Sequence, residues 1–465
     1  MSKFEIKSFR GGKSEYSDRG IFGSFKQSKN LDIRGTEDVI ICNQALIADG
    51  AGATGADTVV TDLIIWGINA SDGNTYLFGD TGKIYKRTSA AVYSLVHTDG
   101  DGRITGAYEW YCDNGKRYMF WTTATKLHSK EIPGNATWSV DLDATITPLS
   151  GVPQTYPKTN LTSATWHTMN QASGGLMICN PIHLAYVGYD GTYTNDALLI
   201  RPGVIPQAVI EYGNDALIGG GDGSRESRLL QWNKNSLNWS ATNRIPSKSI
   251  NAIVQSELTL MSCGDNELFY TDMSNNIPIC TLDGKANPGG VVEKGGLALL
   301  GLFGGSYSGV WSYGRNKKNE SHTLNLEAYI QATEIGAIWK IAEQVFVSYQ
   351  YSTTHGIKKI DPTTKAIAEY YSLELTAPKE STFTTVELET GTIPTGCSIA
   401  VYYDLDGTGS WTQAKLIGDV ATATAGQRDP VFVVGSYGRM IELKFVLTPS
   451  ANVSPTINAA TINFE

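Results

Sequence analysis

An all-β fold is what this sequence predicts: a β-propeller of about seven blades with an N-terminal arm before it and a β-sandwich after it. Three observations carry that expectation. A short, mostly apolar run recurs seven times, at residues 75–79, 117–121, 175–179, 216–220, 258–262, 297–301 and 345–349. The turns before these runs fall near Gly73, Gly115, Gly174, Asn214, Ser256, Gly296 and Glu343, at intervals of 42, 59, 40, 42, 40 and 47 residues. A four-stranded blade takes about 40–50 residues, so the period is that of a radial repeat. Composition agrees: Gly numbers 49 of 465, aromatic residues make up 10%, and no long stretch has helical apolar spacing. Turn dipeptides such as Asp72-Gly73, Asn114-Gly115, Asp190-Gly191 and Asp283-Gly284 punctuate the runs.

A second run follows each first one, at 83–87, 126–130, 183–187, 228–232, 267–271, 309–313 and 356–360. The first set is nearly continuous in apolar character, as expected of strands near the ring centre. The second set carries Lys, Arg and Glu, as expected nearer solvent. No Trp-Asp or Gly-His signature recurs, so neither WD nor kelch repeats are indicated. Seven is the blade count; six and eight are the alternatives, because the 59-residue interval has room for an insertion.

The chain divides into three segments. Residues 1–51 form an arm, within which 30–34 and 39–43 are strand-like and suited to closing the ring against the last blade. Residues 52–375 form the propeller. The stretch 376–381 breaks the period and reads as a linker. Residues 376–465 contain short alternating runs and fit a β-sandwich.

The net charge is −9 and the isoelectric point about 5.3, with no Lys/Arg cluster, so a basic footprint for sequence-specific nucleic acid is absent. Cys42, Cys112, Cys179, Cys263, Cys280 and Cys397 lie far apart without a Cys-x-x-Cys pair, as core thiols of a chain assembled in a cytoplasm would. No signal-peptide pattern opens the chain and no stretch is apolar enough to span a bilayer, so no membrane partner is expected.

Candidate chemistry is sparse. The loops at 99–105 and 404–411 resemble calcium-binding loops. Aligned to an EF-hand, the first puts His97 at the first ligand position and Tyr108 at the last, and the second puts Lys415 at the twelfth, so plain turns are favoured. Asn243-Arg-Ile-Pro246 echoes a sialidase motif, but in mid-chain and without the accompanying Asp boxes. His97, His128, His167, His183, His322 and His355 show no metal-ligand spacing, and the glycine runs 219–223 and 301–305 read as strand turns, lacking the Lys of a phosphate loop. The expectation is no enzyme, no catalytic residue, no metal and no cofactor.

The segments Phe9-Arg-Gly-Gly-Lys-Ser14, Asp18-Arg-Gly-Ile-Phe-Gly-Ser-Phe25 and Asn30-Leu-Asp-Ile-Arg34, with Asn69-Ala-Ser-Asp-Gly-Asn-Thr-Tyr76 and Trp166-His-Thr-Met169, resemble a family of tailed-bacteriophage virion proteins. The resemblance covers most of the chain. It implies a structural part of the tail or the head-to-tail neck, made in host cytoplasm, with other virion proteins as partners and a symmetric homo-oligomer as the assembly. The family brings no functional residues with it. Two binding sets are expected from the residues themselves. Phe4, Phe9, Tyr16, Phe22 and Phe25, irregularly spaced along a polar arm, suit docking between subunits. Tyr402, Tyr403, Trp411 and Tyr437 suit stacking on a host surface glycan, which would make the chain a receptor-binding protein; a propeller glycosidase is the remaining alternative.

Overall fold

The computed structural model describes residues 2–35, 38–50, 59–132, 138, 143–149, 151–200, 203–235, 237–238, 244–315, 317–318 and 320–465. Every regular element among them is a strand. The chain forms a seven-bladed β-propeller arrangement, and it divides into two compact units. Unit 2 is Ala48–Ser308 with Ile330–Lys359; unit 1 is Met1–Ile47, Gly309–Tyr329 and Ile360–Glu465. The expected boundary at 51/52 lies outside the described residues.

Unit 2 is built from antiparallel meanders. Blade 1 comprises Ile64–Asn69, Thr75–Gly79, Lys83–Arg87 and Tyr93–Thr98, in that order. Blade 2 has Gly106–Tyr111, Arg117–Thr122 and Leu127–Ile132. Blades 3, 4 and 5 open at Met169–Ala172, Ile205–Tyr212 and Ile250–Gln255. The sixth and seventh contribute Val291–Lys294 and Leu297–Gly304, then Glu334–Ile341 and Gln344–Tyr351. The 59-residue interval does hold an insertion after blade 2, in which Thr145–Ile146 pairs with Gln154–Thr155.

The apolar runs, expected near the ring centre, are the second strand of each blade and not the strand at the axis. The strands that meet around the axis are those opening each blade, such as Ile64–Asn69 and Gly106–Tyr111. Each apolar run is the second strand: Thr75–Gly79, Gly175–Asn180 and Thr259–Cys263 are buried at every position. The physical reason is that a second strand has a neighbouring sheet against both faces, whereas an opening strand meets the axial space at one end. Ile64–Asn69 accordingly runs from buried Ile64 to exposed Asn69.

Adjacent blades approach backbone to backbone. His167 N–H donates to Thr105 O at 2.9 Å, and a Cβ on Gly106 would lie 2.0 Å from His167 O. A Cβ on Gly221 would lie 2.2 Å from Lys248 O. The run 219–223, expected as a turn, therefore begins inside the strand Asp215–Gly221, where only glycine leaves room for the next blade.

Ring closure depends on Asp49, which is fully buried. Its N–H donates to Ile357 O of the last blade at 3.3 Å. Its carboxylate takes Arg87 of blade 1 through two nitrogens, Nη2 at 3.1 Å, together with the Tyr93 hydroxyl. Lys359 reaches the same carboxylate at 3.1 Å, and the Arg87 guanidinium lies 4.8 Å from the centre of the Phe346 ring. One carboxylate thus holds cations from the first and last blades.

Unit 1 is organised by a ten-stranded sheet in which Ser2–Ile6, Ala459–Phe464, Leu375–Glu389, Val431–Thr448, Ala368–Tyr371 and Gln27–Lys29 neighbour one another in that order. Ser398–Leu405 also pairs with Val431–Thr448. The core beneath includes Phe9, Phe25, Tyr370, Phe383, Phe432, Phe445 and Phe464. Two expectations are corrected. Residues 376–381 are not a linker: they lie within the 15-residue strand Leu375–Glu389, where a register jump between Thr376 and Ser381 absorbs the extra residues and leaves exposed Pro378 no ladder bond to donate. Residues 30–34 and 39–43 pair with each other and not with the last blade: Leu31–Asp32 pairs with Ile41–Cys42, and Leu31, Ile33, Ile40 and Cys42 belong to the unit 1 core.

All six cysteines are free thiols, and five are buried. Burial pushes Cys42 up to about 11 and Cys112 up to about 12, which keeps them protonated and unreactive.

Two stability outcomes are expected. Asp49→Ala leaves Arg87 and Lys359 without their shared anion, and should cost about 3–5 kcal/mol in chemical denaturation. Burial alone would raise the Asp49 carboxyl, but the bonds from Arg87, Tyr93 and Lys359 outweigh it and the net shift is downward. Its stabilisation is therefore present above the ordinary carboxylate range and lost as pH falls through the lowered value. His167 acts at higher pH. It is fully buried between Thr105 Oγ1 at 2.8 Å and Thr162 O at 2.9 Å, and burial holds it down to about 4. The unfolded chain takes up that proton near pH ~6.5, so stability should fall as pH drops from there toward 4. Urea midpoints at pH 7 and pH 5 should diverge in the parent and converge in a folded His167→Gln variant.

Candidate functional site

The propeller axis is where ring folds most often bind ligands, and unit 2 has a cavity of about 380 Å³ there. Trp66, Ile68, Tyr108, Asn170, Ile210 and Trp339 are among the lining residues, contributed by the opening strands of successive blades. Among the described residues of that lining, Lys340 is the charged one and none is a carboxylate. A second cavity, of about 420 Å³, is lined by Trp166, Gln207, Asn251 and Asn287 with Lys248 and Lys285, again without a carboxylate. Glycoside hydrolysis needs two converging carboxyl groups, and among the described residues neither lining includes one. Of the sialidase echo, Arg244 lies exposed in the short edge strand Arg244–Ile245, and Asn243 is outside the described residues.

The chemically richest cluster lies in blades 1 and 2. Asp99 and Asp101 sit on the connection after Tyr93–Thr98, and His128 is the second residue of Leu127–Ile132. The loop does turn, with Asp101 N–H donating to Asp99 Oδ1 at 2.8 Å. The same turn sets both carboxylates against His128, whose Nε2 is 3.5 Å from Asp99 Oδ2 and 3.6 Å from Asp101 Oδ2. On its other side, Nδ1 is 3.2 Å from Asp143 Oδ2. Trp121 stacks on the imidazole at 5.2 Å and 8° and donates its Nε1–H to Asp99 Oδ2 at 2.7 Å. Lys126 Nζ pairs with Asp101 at 2.7 and 2.8 Å. His97 faces Trp121 and Trp138, and burial lowers its pKa. Motif spacing misses this group because its members are 27 and 29 positions from His128 in sequence; only blade packing joins them. The 404–411 loop, by contrast, is a turn whose Asp404 bonds Thr408 Oγ1 and Gly409 N–H.

In unit 1 the expected docking residues separate into two groups. Phe4 stacks on Phe464 at 4.8 Å, while Phe9 and Phe25 are fully buried against Tyr370. Phe9 and Phe25 are therefore core residues and not docking residues, while Phe4 is half-buried and packs against that core. The arm has little apolar content, but two of its aromatics, Phe9 and Phe25, enter a core made with later strands. Tyr16 and Phe22 stay out, 52% and 79% exposed, with Ile21 at 56%. They lie on a loop fastened at its base: Gly12–Lys13 runs parallel to Ser24–Phe25, Gly11 N–H bonds Gly23 O at 3.0 Å and Ser14 N–H bonds Phe25 O at 2.8 Å.

The four expected glycan-stacking aromatics are likewise divided. Tyr403 is buried, its hydroxyl 3.0 Å from Ser436 Oγ, so it is not available to a sugar. Strand alternation sends Tyr402 to the opposite face, where Lys444 lies over both its ring and that of Tyr371. Trp411 meets Tyr371 edge-on at 5.5 Å. Tyr437 is exposed and its hydroxyl donates to Glu380.

No family model and no curated protein matches the chain. Solved structures share the fold. The chain is similar to the WD40 β-propeller domain of Doa1, with 13% identity, 67% of this chain and 96% of that chain covered, and a TM-score of 0.45. It is similar to the β-propeller domain of Cps50 (Swd1) from Myceliophteria thermophila at 8% identity, covering 68% of this chain and 99% of that one with a TM-score of 0.44. A third likeness is to the extracellular domain of a one component system from B. thetaiotaomicron, at 12% identity and a TM-score of 0.44; it covers 84% of this chain, which spans 48% of that domain's length.

Proposed function

We propose that this chain is a non-enzymatic structural component of a tailed-phage virion, in the tail or the head-to-tail neck, assembling through protein–protein contacts. The observation that carries the assembly reading is the loop at 14–23, which holds Tyr16, Ile21 and Phe22 in water although its base is fixed by backbone bonds. Large apolar side chains on a rigid support lose little entropy when a partner covers them, and aromatic anchors of this kind dominate interface energies. The virion reading draws on the motif resemblance at residues 9–34. The cavity linings are in keeping with a non-catalytic role, since among the described residues neither contains the acids a glycosidase uses.

Receptor binding is the second reading, favoured by one observation: Tyr371, Tyr402, Trp411 and Lys444 form a partly exposed aromatic patch with a cation over it. Stacking on sugar rings would use such a patch, with Trp411 as its indole.

Mass spectrometry of gradient-purified particles should find the chain in stoichiometric amounts; its absence would sink the virion reading. A double variant, Ile21→Ser with Phe22→Ser, should keep its thermal midpoint, because exposed positions shift stability by about 0.5 kcal/mol or less. It should nevertheless incorporate poorly, and normal incorporation would count against the loop. Deleting residues 2–25 is a poor substitute, since it removes Phe9 and Phe25 from the core. Glycan-array binding that is abolished by Trp411→Ala would favour the receptor reading.

A further inference from the structure

We propose that Asp99, Asp101 and His128 bind one divalent cation of the zinc class. The tautomer of His128 leads to this. A carboxylate accepts hydrogen bonds, so the contact to Asp143 Oδ2 at 3.2 Å is made by a protonated Nδ1. In the neutral ring that leaves the lone pair on Nε2. The side chain is 7% exposed, and Nε2 has no hydrogen-bond partner although it is inaccessible to solvent. It points at two further acceptors, Asp99 Oδ2 and Asp101 Oδ2. Three electron-pair donors facing one point with no hydrogen between them repel one another unless a positive centre occupies that point.

The spacing suits a metal better than a shared proton. Distances of 3.5 and 3.6 Å from Nε2 to the two oxygens are too long for hydrogen bonds. They are close to the separation of about 3.3 Å between ligand atoms in a tetrahedral site with bonds of ~2.0–2.1 Å. One imidazole nitrogen and two carboxylate oxygens form a donor set that zinc accepts, with water as the fourth ligand. The surroundings are those of a metal-bound histidine: Asp143 orients the ring through Nδ1, Trp121 covers its face, and the Trp121 Nε1–H bonds one ligand oxygen. Lys126 holds Asp101 from the solvent side and is a competing positive charge, so it weakens the site without filling it. A cation here joins the connection after blade 1, the third strand of blade 2 and Asp143 of the insertion, which makes its role structural.

The chelator-stripped full-length chain should be titrated with zinc chloride by calorimetry and with cobalt chloride by visible absorption. The expected result is one saturable site per chain, with the intense cobalt bands of tetrahedral coordination and a rise in thermal midpoint on adding zinc. Affinity should fall about 10–100-fold in Asp143→Asn, as when the support of a ligand histidine is removed. It should fall further in His128→Ala and Asp101→Asn, and rise in Lys126→Ala. Asp101 is exposed, so Asp101→Asn reports even if His128→Ala fails to fold. Absence of saturable zinc and cobalt binding by the parent would overturn the site, and so would binding unchanged in Asp101→Asn.

Discussion

The buried carboxylate of Asp49 is the constraint on which the propeller depends. Each blade packs on the next through apolar second strands, but a ring has a seam where the chain's first blade must meet its last. Here Asp49 accepts from both cations and from Tyr93, while its own N–H is bonded to Ile357 O. A buried ion set of this kind adds little over a well-packed apolar seam, but losing one member leaves charges stranded in a low-dielectric interior. The arrangement therefore specifies closure more than it adds stability. Burial of the anion is tolerable because its partners are several and hydrogen-bonded.

The same packing logic decides where chemistry can sit. Second strands have sheets on both faces and are filled by residues such as Leu77, Ile178, Met261 and Val347, all fully buried. Opening strands give the axial cavity an aromatic and amide lining with lysine and, among the described residues, no acid. Polar clusters are left to the connections between blades, where backbone geometry is free to vary. The Asp99–Asp101–His128 group arises there: a tight turn supplies two carboxylates, and the third strand of the next blade supplies the imidazole.

Unit 1 shows how a chain's beginning and end can share one core. Phe4 stacks on Phe464, and Phe9 and Phe25 pack on Tyr370. The loop between Phe9 and Phe25 is tied back to its own unit where Glu374 N–H donates to Ser17 O, yet it presents Tyr16, Ile21 and Phe22 outward. The long bent strands Leu375–Glu389 and Val431–Thr448 are what let one sheet serve both early and late segments.

The repeat period was legible in the sequence because it is local. Each blade is one meander, its turns need Gly or Asn at set positions, and its most buried strand shows as a continuous apolar run. The all-β class and the count of seven followed from that periodicity with the composition, and the 59-residue interval left room for the insertion. Strand order within a blade did not, since burial on both faces looks the same in sequence whether the cause is the ring centre or two flanking sheets. Residues 376–381 were misread because a Pro and two charges look like a break, while a register jump can hide them inside a strand. Phe9 and Phe25 were misread because their partner, Tyr370, lies more than 300 positions away. His128 likewise meets its carboxylates across blades, at no motif spacing. Local hydrogen-bonding demands write themselves into short stretches of sequence; contacts between distant segments are set by packing, and only the tertiary structure decides them.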